Sequence, residues 1–562
     1  MKKQLVAALV AVMVIAAIFT GNAYSAVMKM MPEDADFVLK IGSIESLYKN
    51  FSVTPNSIFG NPVPDLAQMQ KEMGFNPLSI DELKANGLDT SREVSLLITD
   101  LIIPDQGKTD PSFNAVLFFP VSNGKKMVET VKQILTKDNS AIKFSQDGKM
   151  SIFTETQSAG KNFVGYMAEK DKYLMIGTNP AGDAKSLMGK LLSSQGKLTG
   201  STAFKNVAGK IDSSQDIFAY LNIKKIAEKN LTAIQKLYSQ SYGTQPLSSS
   251  KGLKYLKDCE GAGFAIDMNS KDFALNAVTN MVHGAPSLDA MKGITLDKNM
   301  TLGQKENPVT LWSIAVNPVK YFQLIMDTME DDDDAQFKNW QTSFKTNFGI
   351  DFMGEIINNL TGNVNLGIYD GASINMANYN ALLSIGVKND AKALSVIDKL
   401  IATLPPQQQQ AMITKDKVGG IDAYAIMAGF VQVYAGIKNH NLIVSVGKPM
   451  FEKALAANAA SGFLSGMKDK KLASSLKTES NSAYLNAAEL MKAVNNFAPM
   501  LPPPPEGQPP FAQKIGQILS QFQYFYTANS LKGDSFFANI DLKTNFKEPF
   551  FIGLKKLIDS AK

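Results

Sequence analysis

Two histidines, one cysteine and one dense acidic run are the residues whose spacing could do chemistry. His283 stands beside Gly284, and His440 lies in a polar turn at 438–441. Neither has a second ligand at metal spacing or a nucleophile near it in the chain. A catalytic triad, a histidine zinc site and a histidine general base therefore find no support. Cys259 stands alone, which excludes an intrachain disulfide and a cysteine-rich zinc site. Just before a strand, it reads as a small apolar side chain. In the acidic run 330–334, Asp331 and Asp333 could hold a hard cation through oxygen ligands. The calcium loop's central glycine and closing glutamate are missing, so the run is expected to be a solvated turn after a helix over 318–329. Ser-x-x-Lys occurs from Ser46, Ser194, Ser465 and Ser474, without the companion motifs that make such a pair acylate a substrate. No glycine-rich phosphate loop is present. No residue is assigned to catalysis, cofactor binding or metal binding, and the chain is expected not to be an enzyme.

Methionine is abundant, 26 in all. Met28, Met30 and Met31 crowd one stretch, while Met127, Met175, Met188, Met412 and Met427 fall inside expected elements. Such soft side chains fill cores, or line an adaptable surface for a lipid-like or peptide ligand. Residues 550–558 put Phe550, Phe551, Leu554, Leu557 and Ile558 on one helical face, with Lys555 and Lys556 opposite. Docking on the sheet of a second module is expected, with a membrane-surface helix as the other reading.

These side chains need a scaffold, and 562 residues suit two or more domains. An apolar share of 45% and a charged share of 19% fit a globular chain. Residues 1–25 read as an export signal: Lys2 and Lys3, an apolar run over 5–19, then small residues up to Ser25. The run is shorter than the roughly 20 residues of a spanning helix. A retained anchor is the alternative. Loss of Lys2 and Lys3 lowers the net charge of +5 by two. That balance, with no basic block, excludes nucleic acid as a partner. No later run is long and apolar enough for a membrane span after cleavage. The expected location is the periplasm or cell surface.

The tetrapeptide Ala-Tyr-Leu-Asn occurs at 219–222 and again at 483–486. Each copy reads as a short strand running into a helix, over 223–238 and 487–497. The flanks match in order: a strand, a helix at 125–135 or 389–404, a three-strand meander, the tetrapeptide, then a final hairpin. This predicts an internal repeat, with a first module over 26–285, a linker over 286–304 and a second module over 305–562. The loops at 239–251 and 498–510 occupy the same place in each, the second stiffened by Pro502, Pro503, Pro504 and Pro505. Adjacent hairpins and one-sided helices predict an α+β fold, mainly antiparallel sheet with helices packed on one face.

The run Met31-Pro32-Glu33-Asp34-Ala35-Asp36 before a strand, Gly74-Phe75 before paired strands, and residues 201–211 before the first tetrapeptide resemble a family of exported bacterial proteins. That family is classed only as a domain of unknown function. The resemblance implies an envelope location and supplies no functional residue. The reading that results is a non-enzymatic envelope protein binding a lipid-like ligand or an envelope protein, on its sheets or between its modules. A hydrolase assembled in space and a structural spacer are the alternatives.

Overall fold

The computed structural model describes residues 27–45, 70, 73–76, 79–103, 112–137, 142–156, 162–179, 184–193, 197–213, 215–242, 250–267, 270–292, 294–329, 331–375, 378–429, 431–500, 504 and 509–561. The expected leader lies outside them, as do Ser46, Ser194, residues 243–249 and most of 501–508.

Ten strands come first: β1 (Phe37–Ser43), β2 (Glu93–Ile102), β3 (Ser112–Pro120), β4 (Ile142–Asp147), β5 (Met150–Thr156), β6 (Asn162–Lys170), β7 (Tyr173–Thr178), β8 (Ile217–Leu221), β9 (Cys259–Asp267) and β10 (Phe273–Met281). Ten follow: β11 (Pro308–Ala315), β12 (Leu360–Tyr369), β13 (Ala381–Val387), β14 (Ile413–Val418), β15 (Ile421–Ala428), β16 (Val431–Lys438), β17 (Asn441–Val446), β18 (Asn481–Asn486), β19 (Phe522–Lys532) and β20 (Ser535–Thr544). The first ten pair in the order 4-5-6-7-3-2-1-8-9-10, antiparallel throughout. The second ten pair as 14-15-16-17-13-12-11-18-19-20, which is the same order. β10 then pairs with β20, making one sheet of 20 strands. At this seam Asn276 faces Asn539 and Ala277 faces Ala538, so equivalent strands meet about a local two-fold axis.

Helices fill the connections of the first half: α1 (Ile80–Ala85), α2 (Gly124–Lys137), α3 (Lys185–Leu192), α4 (Thr202–Ala208), α5 (Ile223–Tyr242) and α6 (Pro286–Asp289). Those of the second are α7 (Asn299–Leu302), α8 (Pro318–Thr328), α9 (Asp331–Phe348), α10 (Asp390–Ala402), α11 (Pro406–Met412), α12 (Lys448–Leu455), α13 (Lys470–Thr478), α14 (Ala487–Phe497), α15 (Phe511–Leu519) and α16 (Phe550–Ala561). The repeated tetrapeptide has a local reason. Its asparagine ends the strand and caps the helix: Asn222 Oδ1 accepts the Lys225 N–H (3.2 Å), and Asn486 Oδ1 accepts those of Ala488 and Glu489 (3.1 and 3.3 Å). Its tyrosine, Tyr220 or Tyr484, points into a core.

The chain is α+β, but helices cover both faces of the first half, not the single face expected. β3 carries a continuous apolar run, the mark of a strand buried on both sides. Val116 and Phe118 enter one core, with Met28, Met31, α3 and α4. Leu117 and Phe119 enter the other, under α1 and α2. Three further expectations are corrected. The acidic run is no turn: Asp331 opens α9, and Asp333 and Asp334 lie in its first turn, where carboxylates suit the positive end of the helix dipole. The C-terminal helix α16 docks across the seam, with Phe550 5.4 Å from Phe273 of the first half and Phe551 against its core. In exchange, Ala285 and Leu288 of α6 pack with Leu531 and Phe536 of the second half. Within 286–304, Met300 and Leu302 of α7 belong to the second-half core.

Candidate functional site

The site sits on the face of the second half that matches the α1/α2 face of the first. Strand alternation puts Trp312, Val364, Leu366, Leu383, Ile385, Leu442 and Val444 on this face. All are partly exposed. Of their first-half counterparts by pairing, Val94, Leu117, Phe119 and Leu174 are buried, while Leu39, Leu96 and Ile176 are partly buried against the same core. The helices explain the difference. α2 buries Met127, Val131 and Ile134, whereas α10 buries only Ala393 and α8 buries no residue. β11 has a partner on each side, yet Trp312 at its centre is 46% exposed. β19 is likewise interior, and its Phe525 is 37% exposed. An apolar groove thus crosses the middle of the sheet.

Its walls are built by local rules. Asn317 caps α8 by accepting the Lys320 N–H (3.1 Å), with Pro318 at the first position. α8 packs over β12, and α14 packs over β11 and β19, with Trp312 between them. Phe322, Phe337, Trp340, Phe344 and Phe352 stack α8 and α9 together at ring separations of 5.0–6.3 Å. On the other side, α15 shows Phe511 and Ile518 to solvent.

On the same face, at the seam, lies a cavity of about 290 Å³. Ala277, Thr279, Phe536 and Ala538 form its floor, Met291 lies at its edge, and Asn481 and Asn529 bring amides to it. A second cavity of about 510 Å³ opens on the opposite face among Lys305, Asn307, Ser461, Ser465, Tyr484 and Asn486.

His283 Nδ1 lies 2.9 Å from Asp534, and His440 Nδ1 lies 3.0 Å from Asp390; both rings are exposed. The thiol of Cys259 is half-buried 3.5 Å from the Met281 sulfur, and burial pushes its pKa up. Two lysines are buried, and neither stood out in the sequence. Lys40 donates to Ser213 O (2.5 Å) behind α4. Lys298 donates to Leu476 O (2.9 Å) and Glu479 O (2.6 Å) at the end of α13. Burial lowers each to about 8, against the pull of Glu93, Asp212 and Asp216 on Lys40 and of Glu479 on Lys298. Lys40 faces Phe218 where Ser313 faces Ser482, so Ser313 holds the place of Lys40. Lys298 brings an ammonium to the corresponding helix end from another strand connection.

The methionines divide. Met28, Met31, Met127, Met175 and Met188 are core, while Met412 and Met427 are 38% exposed. Sequence reasoning missed Trp312, Phe525 and Asn529. The matching strand orders held the signal: in the strand pairings Trp312 aligns with Leu39, and Asn529 with Ile266.

Fold and groove together define a twenty-stranded antiparallel α+β protein with an open apolar face. The chain belongs to the family DUF3352, described as a protein of unknown function, which matches residues 90–521. No curated protein matches the chain. Among solved structures, crystal forms III and I of TP0453 align at 10% identity and a TM-score of 0.23. They cover 47% of this chain and 82% and 81% of theirs, a likeness too slight to carry an argument. Among the described residues, no helix is long and apolar enough to cross a membrane.

Proposed function

We propose that this is an exported, non-enzymatic protein of the bacterial envelope that holds an apolar, chain-like ligand in the second-half groove. The observation that carries the reading is Trp312, 46% exposed on a strand paired on both sides. Leaving a large aromatic wet at the centre of a sheet forgoes burial energy of about 25 cal/mol per Å². A ligand that covers Trp312 and Phe525 recovers it. Pockets of this kind are mostly apolar with a few convergent polar groups, which matches the floor and the two amides. The matching strand orders also support a tandem duplication, in which one copy kept its face closed and the other opened it.

The chain has two tryptophans, Trp312 and Trp340. In a Trp340→Phe background, a long-chain ligand should shift the Trp312 emission to the blue and quench its access to iodide. Native mass spectrometry of protein taken without detergent from its host's envelope fraction should show an extra mass lost on solvent extraction. An empty protein whose emission ignores long-chain lipids would end the reading.

A further inference from the structure

The seam cavity differs from the rest of the groove in bearing polar side chains, and the first half shows what normally stands there. Asn481 faces Asn529 across β18 and β19, Asn529 faces Ala538, and Ala538 faces Ala277, so the four form one straight row. By register, the first-half counterparts of Asn481 and Asn529 are Ile217 and Ile266, which face each other across β8 and β9. Thr279, also in the cavity wall, has Leu542 as its counterpart. Two large apolar side chains of the first half are thus replaced by two asparagines in the second, and Thr279 of β10 adds a third short polar group where β20 has Leu542.

These groups have unused hydrogen-bonding capacity. Asn481 Oδ1 accepts the Ala315 N–H at 3.0 Å, which leaves its amide hydrogens free to donate. The Asn529 side chain makes no hydrogen bond to the protein among the described residues. Directly opposed side chains on antiparallel strands stand about 4.5–5.5 Å apart at Cβ, so one ligand group can meet both amides. No charged side chain lines the cavity among the described residues. Around it, Lys292 and His283 both approach Asp534 (3.7 and 2.9 Å), and Lys532 approaches Glu479 (3.8 Å). The Lys210–Asn280–Ser535 cluster lies on the opposite face, because Asn280 alternates with Thr279.

We infer that the cavity lined by Asn481, Asn529 and Thr279 takes the uncharged, hydrogen-bonding head of an amphiphile, such as the ester and hydroxyls of an acylglycerol, while its chain lies over Trp312. The inference rests on the groove reading above. A volume of about 290 Å³ is near the lower end of ligand pockets, roughly 300–1,000 Å³, so it suits a head and not a whole lipid. A neutral carbonyl or hydroxyl exchanges water for the amides at little cost. A carboxylate or phosphate would lose its hydration with no counter-charge to meet it.

The test compares monoolein with oleate, which share one chain and differ in head, each titrated below its aggregation limit into the full chain carrying Trp340→Phe. Trp312 emission reports binding. Monoolein should bind at least tenfold more tightly. The variant Asn481→Ile/Asn529→Ile, which installs the first-half residues, should bring the two ligands within about twofold of each other. Asn529→Ala, a milder change, should give an intermediate ratio, and thermal melts check that each variant folds. Equal binding of the two ligands by the unsubstituted groove, or a preference kept by both variants, overturns the assignment and leaves the groove standing. No response to either ligand overturns the groove reading as well.

Discussion

The two halves of the sheet run the same strand order and put that order to different use. Around β3 and β7 of the first half, Leu117, Phe119 and Leu174 are buried beneath α2. Around β13 and β17 of the second, Leu383, Ile385 and Leu442 remain half-exposed beneath α10. Topology is indifferent to this choice. A ten-strand order is satisfied by backbone pairing, and whether a face is closed depends on how closely helices settle on it. In each half a buried lysine donates to backbone carbonyls ahead of the tetrapeptide strand: Lys40 to Ser213 O, and Lys298 to Leu476 O and Glu479 O.

The largest expected effect tests the closed face against the open one. Leu174→Ala should cost about 2–5 kcal/mol, as for a fully buried leucine. Its counterpart Leu442→Ala should cost roughly 1 kcal/mol, the ordinary centre for point mutants. Denaturant midpoints of the two variants decide it, and equal losses would break the comparison.

A middle-sized effect concerns the buried lysines. Unfolded, a lysine holds its proton to about 10.5; native Lys40 and Lys298 release theirs near 8. Between those values the unfolded chain binds more protons, so stability should rise with pH by about 1.4 kcal/mol per unit for each lysine. Above pH 10 the sign reverses. Burial raises the pKa of Tyr173, Tyr220, Tyr369, Tyr524 and Tyr526, and lifts Tyr484 to about 12. The native state then holds protons that unfolded tyrosines have lost. Urea melts from pH 7 to 11 should peak near pH 10, and Lys40→Met or Lys298→Met should each remove part of the rise. A flat profile from pH 8 to 9.5 would show that the two ammonium groups are solvated.

The smallest effect on stability should come from Trp312→Leu, which copies the first-half residue Leu39. An already exposed side chain should change stability by no more than about 0.5 kcal/mol. The co-purifying mass should nevertheless disappear. A stability loss comparable to that of Leu174→Ala would mean that Trp312 is part of a closed core after all.

Much of the architecture was legible because it is written in short-range patterns. The readings at 150–156, 173–178 and 487–497 coincide with β5, β7 and α14. Strands escaped detection where polarity hid the period. β4 and β14 are the two edges of the sheet and carry polar side chains such as Lys143, Lys415 and Lys417, as edge strands do. β12 turns Asn363 and Asn365 inward, where they donate to Thr295 O (2.5 Å) and Asp297 O (2.8 Å), so its buried side does not read as apolar. The groove was less legible than the fold. Trp312 and Phe525 look like any inward strand residues until the helices above them are placed.

Residue order alone determined the twice-occurring tetrapeptide, the alternation of strands, and the asparagine caps at Asn222 and Asn486, because each depends on neighbours a few positions away. Only the tertiary structure decided that β10 meets β20, that α16 crosses to the first half, and that Trp312 stays exposed. Those outcomes depend on which surfaces find each other across hundreds of residues. The energy of closing a face belongs to the pair of surfaces and to neither segment alone.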